Sequence, residues 1–270
     1  MRRSRRCCQA TLAWPARQSR LYGQQPRRLA KAPVLDTAIS AITATDGVTL
    51  QRRAYDELRR LIMQGLIAPG QKLSIRGAAH ALGVSMMPVR AALQRLESEG
   101  ALVGRGGKRV MGIPDLTADA YREIRAIRVE LEGLAAERAA GQVTDAQVAA
   151  TTAHCVRMQA AAEAGDRAEY IAANWDFHLS IYQACGMPTL VAMIEGLWIR
   201  VGPYVATMMP DRDALIRSMP AHWDIVAALK ARDGRAARAG IASDIGTSGA
   251  TLIAALERPR AAGKRRGQAK

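Results

Sequence analysis

At 270 residues, with 49% apolar residues, the chain is long enough for two domains that each bury a core. Few aromatics and much alanine favour helices over β-sandwiches, and with no run of about 18 apolar residues no transmembrane helix is expected. The two termini, 1–31 and 258–270, account for the whole formal charge of +15 and leave 32–257 neutral, and the four cysteines (Cys7, Cys8, Cys155, Cys185) lack metal or disulfide spacing, as in a reducing compartment.

Residues 1–47 read as a disordered basic arm. Residues 1–31 hold nine Arg or Lys and no acid, with Pro15 and Pro26, and Pro33 follows. Arg5-Arg6 resembles part of a twin-Arg export signal, but no apolar stretch follows; a transit peptide would share the acid-free composition. Non-specific phosphate contacts are a further reading of the arm.

Residues 48–114 read as a DNA-binding head. A helix is expected from about Leu50 to Leu66, burying Tyr55, Leu58, Leu61, Ile62 and Leu66. Ala68-Pro69-Gly70-Gln71 is a turn, and Leu73 suits a short strand. Two short helices then meet at Gly83, a position that favours positive φ. Ala78, Ala79 and Leu82 give the first an apolar face. Ser85 is placed to cap the second, with Pro88 in its first turn. Val89, Leu93 and Leu96 face a core, while Met86, Arg90 and Gln94 form another stripe at i, i+4, i+8. A helix presenting Arg and long side chains from its N-terminal half suits a DNA major groove. Gly104-Arg105-Gly106-Gly107-Lys108-Arg109 reads as a basic hairpin wing, with 110–113 as its returning strand. His80 is expected at the surface. The bland alternative is an ordinary helical hairpin. Residues 49–113 carry eleven basic and four acidic residues, whereas 114–257 carry thirteen and eighteen, a basic head joined to an acidic body.

Residues 115–257 read as helices only, near 117–140, 144–164, 166–185, 188–208, 211–232 and 234–257, with Asp115 or Thr117, Thr144 and Asp166 as N-caps. Such short connections favour an antiparallel all-α bundle. The fold class is therefore mainly α. Residues 258–270, with six basic residues and no acid, read as a disordered tail.

Within the bundle, Asn174 and His178 share a helix face at i, i+4; His222 and Asp244 lie on two later helices. Three helices can bring these four into one cavity, a donor set that suits Zn²⁺, Ni²⁺, Mn²⁺ or Fe²⁺ with open positions. Two histidines on helices are more often polar core or surface residues. Arg128 and Glu132, also i, i+4, form either an anion receptor or an intrahelical ion pair worth a few tenths of a kcal/mol. Trp198 and Arg200 are candidates to line the same cavity, although a helical Trp is commonly core.

The phrases Leu-Ile-Ala-Pro-Gly-Gln-Lys-Leu (66–73), Leu-Gly-Val-Ser (82–85), Pro-Val-Arg (88–90) and Leu-Gln-Arg-Leu-Glu-Ser-Glu-Gly (93–100) resemble the winged helix-turn-helix of GntR-type bacterial regulators. The helical remainder resembles the FCD effector domain of the FadR subfamily, and together the matches cover about 50–257. The resemblance implies a cytoplasmic, bacterial, metabolite-responsive repressor, at the nucleoid when DNA-bound and without a membrane partner. It implies a homodimer on double-stranded operator DNA, touched by Arg76, by the helix start at Ser85, Met86 and Met87, by Arg90 and Gln94, and by the wing at Arg105, Gly106 and Lys108. It implies a divalent metal at Asn174, His178, His222 and Asp244, and a small-molecule carboxylate effector received by Arg128 with Trp198 and Arg200. Two departures stand out. Met86 occupies the place of a base-reading Arg, and Asn174 and Asp244 replace an Asp and a His of the metal pattern. Two other readings remain: a helical metalloenzyme acting on a small organic acid, and a constitutive DNA binder without effector.

Overall fold

The computed structural model describes residues 49–105, 110–209 and 211–258. The basic arm at 1–47, the wing tip with Gly106 and Lys108, and residues 259–270 lie outside the described residues.

The head begins with α1 (Leu50–Met63), N-capped by Thr49, whose side chain accepts from the Arg52 amide. It stops three residues before the expected Leu66, because Gly65 turns the chain at φ 66°. β1 (Leu73–Ser74) leads into α2 (Ile75–Leu82), and Ser74 caps α2 through the Gly77 amide. Gly83, at φ 65°, makes the tight turn to α3 (Met86–Ser98). Ser85 holds the N-cap position, but its side chain makes no capping hydrogen bond, contrary to expectation. Leu58, Leu82, Val89, Leu93 and Leu96 are buried together. Arg95 stacks over the Tyr55 ring and pairs with Glu99, which also accepts from the Tyr55 hydroxyl, so α1 is tied to α3. The wing is a three-stranded antiparallel sheet in the order β1-β3-β2, with β2 (Val103–Gly104), β3 (Val110–Gly112), Leu73 opposite Met111 and Val103 opposite Gly112.

The bundle comprises α4 (Ala118–Ala140), α5 (Asp145–Ala164), α6 (Arg167–Gln183), α7 (Pro188–Met208), α8 (Arg212–Lys230) and α9 (Gly234–Glu257). Side-chain caps start most of them: Thr117 on α4, Thr144 in a capping box with Gln147 on α5, Asp166 on α6, Asp211 on α8 and Asp233 on α9. α4 packs along α9, α5 along α6 and α8, and α8 along α9. By length and composition α9 would suit a membrane span, with mean hydropathy 1.2 in its most apolar window; here it packs against α4 and α8 and turns Asp244 inward.

Helix α7 joins the two parts. It touches α4, α6 and α9 on the bundle side and α1 on the other. Gly202 approaches α1 so closely that a Cβ there would lie 2.4 Å from the Met63 carbonyl oxygen. Arg59 of α1 pairs with Glu195 at 3.0 Å. The Tyr204 hydroxyl donates to the Pro114 carbonyl and accepts from the Leu116 amide, which fixes the connection between head and bundle.

Candidate metal centre and DNA-facing surface

Three helices bring Asn174, His178, His222 and Asp244 together, the first three buried and the Asp244 side chain nearly so. His178 Nε2 lies 3.4 Å from Asp244 Oδ2, and His222 Nε2 lies 3.7 Å from Asp244 Oδ1 and 3.1 Å from Asn174 Oδ1. Neighbouring tetrahedral ligands on bonds of 2.0–2.1 Å are about 3.4 Å apart, so the spacing fits a small dication.

The proton positions decide what these atoms offer. His222 Nδ1 faces the Ser218 carbonyl at 2.9 Å; a carbonyl only accepts, so Nδ1 carries the hydrogen and Nε2 a lone pair. The Tyr182 hydroxyl donates to the Glu132 carboxylate and therefore accepts from His178 Nδ1, 3.1 Å away. His178 Nε2 is thus also a lone pair. Both lone pairs face a carboxylate, and His222 also faces the Asn174 amide, which can turn either its oxygen or its NH2 toward the site. That arrangement is repulsive unless a cation or proton lies between them. Burial lowers the His222 pKa despite the nearby Asp244 charge, which disfavours the proton. Burial by itself would raise the Asp244 carboxyl; protonated His222 and His178, with Arg128 behind them, would outweigh it and hold it at about 2, so a positive charge in this position keeps Asp244 ionised. The donor set is that of a divalent metal centre whose histidines are oriented through their second nitrogens.

Arg128 stands behind this centre. Its Nε and Nη2 reach the two Glu132 oxygens at 2.6 and 3.2 Å, and both residues are buried. The ion-pair reading therefore holds for the geometry, but this is no exposed pair of small value: it anchors the chain Arg128–Glu132–Tyr182–His178. The guanidinium also lies over the Trp198 ring at 4.6 Å, and Trp198 packs against His178 and Trp175. Arg200 is exposed; two residues after Trp198, it is turned about 200° around α7, and neither it nor Arg128 or Trp198 lies on the wall of the cavity between α8 and α9. Sequence reasoning missed Tyr182, although it lies at i+4 from His178, and Tyr121, at i−7 from Arg128 on the same face of α4. The buried Tyr121 hydroxyl and Trp198 Nε1 have no hydrogen-bond partner among the described residues. A cavity of about 310 Å³ opens between α8 and α9, where Ser218, Ser243, Asp244, Thr247 and Ser248 contribute to its wall.

On the head, Arg76, Ser85, Met86, Met87, Arg90 and Gln94 are all exposed. Neither Arg76 nor Arg90 pairs with an acid among the described residues, unlike Arg95. Arg105, expected among the wing's DNA contacts, has its guanidinium folded back onto the Ile113 carbonyl and Asp115.

A model of the bacterial gntR regulatory-protein family matches residues 50–111, and the FCD domain model matches 123–246. The HTH-type transcriptional regulator McbR of Escherichia coli K12 is 33% identical over 193 residues, 71% of this chain and 87% of that protein. The chain belongs to the GntR family. A probable D-xylose utilization operon transcriptional repressor of Paenarthrobacter nicotinovorans is 30% identical over 201 residues, covering 74% of this chain and 85% of the relative. The solved structure of E. coli McbR/YncC superposes with a TM-score of 0.72 at 31% identity, over 77% of this chain and 99% of that one. A Rhodococcus GntR structure, at 20% identity and a TM-score of 0.61 over 76% of this chain and 98% of that one, shares the fold. This GntR protein is thus a DNA-binding transcriptional regulator with an FCD effector domain. Its relatives are regulators rather than enzymes, so the metalloenzyme reading falls away. For the DNA surface, Arg90→Ala should weaken operator binding by about 1–3 kcal/mol if Arg90 meets a base, or by a salt-dependent amount if it meets phosphate. Filter or fluorescence titration at several salt concentrations separates these outcomes, and unchanged affinity removes Arg90 from the interface.

Proposed function

We propose that the protein is a homodimeric, cytoplasmic repressor whose operator affinity is set by a small carboxylate bound beside a divalent cation, Zn²⁺, Ni²⁺, Mn²⁺ or Fe²⁺, held by Asn174, His178, His222 and Asp244. The observation that carries this reading is the convergence of two imidazole lone pairs on one carboxylate, with both Nδ1 atoms already tied. When bound, the metal supplies a Lewis-acidic centre for an anionic oxygen donor. One carboxylate against a dication leaves a local charge of about +1, because the Arg128–Glu132 pair is neutral, so an anion is attracted. Arg128 acts by holding Glu132, since its Nε and Nη2 are occupied there. The unpartnered Tyr121 hydroxyl and Trp198 Nε1 are buried donors that a ligand's remaining oxygens would satisfy. A palindromic operator requires two heads, so the acting species is a dimer, and the effector works by preferring one placement of the heads over another.

Titration calorimetry tests this reading with a panel of small monocarboxylates, dicarboxylates and hydroxy acids. The metal-loaded protein is compared with the His178→Ala/His222→Ala variant. We expect one acid class to bind only the metal-loaded protein and to change its affinity for operator DNA. Equal binding to the double variant would remove the metal from the mechanism and leave a plain polar pocket.

A further inference from the structure

Helix α3, the second helix of the helix-turn-helix, begins with an apolar end. Met86 and Met87 are its first two residues and are 52% and 72% exposed. Isolated exposed apolar residues need no explanation, but two adjacent ones at the groove-entering end of a DNA-reading helix do. The core side of α3 is set by Val89, Ala92, Leu93 and Leu96, all buried. At about 100° per residue, Met87 points nearly opposite that stripe. Met86 precedes Arg90 by four residues and Met87 precedes it by three, so the two thioethers share a surface with Arg90 and Gln94. Around them, Arg76 and Arg90 are exposed cations with no acidic partner among the described residues, which matches the phosphate walls of a groove.

A thioether donates no hydrogen bond. Guanine presents only acceptors, N7 and O6, in the major groove, and adenine presents N7 beside an amino group; an apolar side chain pressed against either leaves them without partners. Among the four bases, the apolar group in that groove is the 5-methyl of thymine. The unbranched methionine chain, with three rotatable bonds, adapts to such a target.

We infer that Met86 and Met87 read the 5-methyl groups of pyrimidines in the major groove, so that this operator is selected by methyl contacts where an arginine would select guanine. Because 5-methylcytosine carries its methyl at the same ring position as thymine, the same surface makes operator binding sensitive to cytosine methylation.

The full-length protein is used to select an operator from a randomised duplex library. Each thymine is then replaced by deoxyuridine, and in separate duplexes the methyl-contacted positions carry cytosine or 5-methylcytosine. Removing one contacted methyl should weaken binding about fourfold, the factor equivalent to about 0.8 kcal/mol. 5-Methylcytosine should bind more tightly than cytosine by a similar factor. In a Met86→Ala/Met87→Ala variant, whose folding circular dichroism verifies, both factors should fall to about one. Met86→Arg should shift the selected base toward guanine. The inference is overturned if no deoxyuridine substitution weakens binding, or if the loss is the same in the double alanine variant, which would mark an effect of DNA shape.

Discussion

Arg128→Ala should destabilise the bundle by about 3–5 kcal/mol, because it strands the Glu132 carboxylate in a fully buried position. For a chain of this size that corresponds to a fall in Tm of roughly 6–20 °C, read by calorimetry on the metal-free protein. The sequence alone suggests a milder outcome, the loss of an anion receptor or of an ion pair worth a few tenths of a kcal/mol. The structure changes that expectation. Glu132 accepts the hydrogen bond of the Tyr182 hydroxyl, and Tyr182 in turn orients His178, so losing Arg128 should also lower metal affinity about 10–100-fold. The double replacement Arg128→Met with Glu132→Leu removes both charges and should recover most of the stability, while metal affinity stays low. If Arg128→Ala melts at the wild-type temperature, the pair is not the anchor described above.

His222→Ala should lower metal affinity by more than about 100-fold, beyond what is typical for residues that only orient a ligand. The variant loses one of two imidazole ligands, and Asn174 Oδ1 loses its neighbour. Elemental analysis of protein purified without chelator, followed by competition with a coloured chelator, reads the loss. Operator binding by the helix-turn-helix should persist, because α3 lies outside the centre, while the response to the carboxylate disappears. Full metal occupancy in His222→Ala would exclude this set of ligands.

Much of this was legible in the residues. Thr117, Thr144 and Asp166 announce helix starts, and Gly83 and Gly165 adopt the left-handed backbone that ends the helices before them. Asn174, His178, His222 and Asp244 could be gathered from periodicity and resemblance, since helix faces follow from spacing. What spacing does not encode is the second nitrogen of each histidine. The Ser218 carbonyl is backbone, invisible to any side-chain pattern, and the Tyr182–Glu132 contact joins residues 50 apart on different helices. The Arg105–Asp115 contact is hidden from spacing for a similar reason: Asp115 is ten residues away in the chain, and only the fold of the wing brings it back. Arg200 was drawn in by proximity to Trp198, although two residues along a helix reverse the face.

Trp198, beside the metal residues, and Gly202, against the backbone of Met63, are separated by one turn of α7. No side chain cushions the second contact, so a displacement of α7 at Trp198 reaches the head without being absorbed by a rotamer change. Coupling of this kind acts in both directions with equal strength. If an acid at the centre shifts operator affinity tenfold, operator DNA shifts affinity for the acid by the same factor, about 1.4 kcal/mol. The chromosome then becomes a ligand of the metabolite site: protein seated on its operator answers to a different concentration of the acid than protein free in solution.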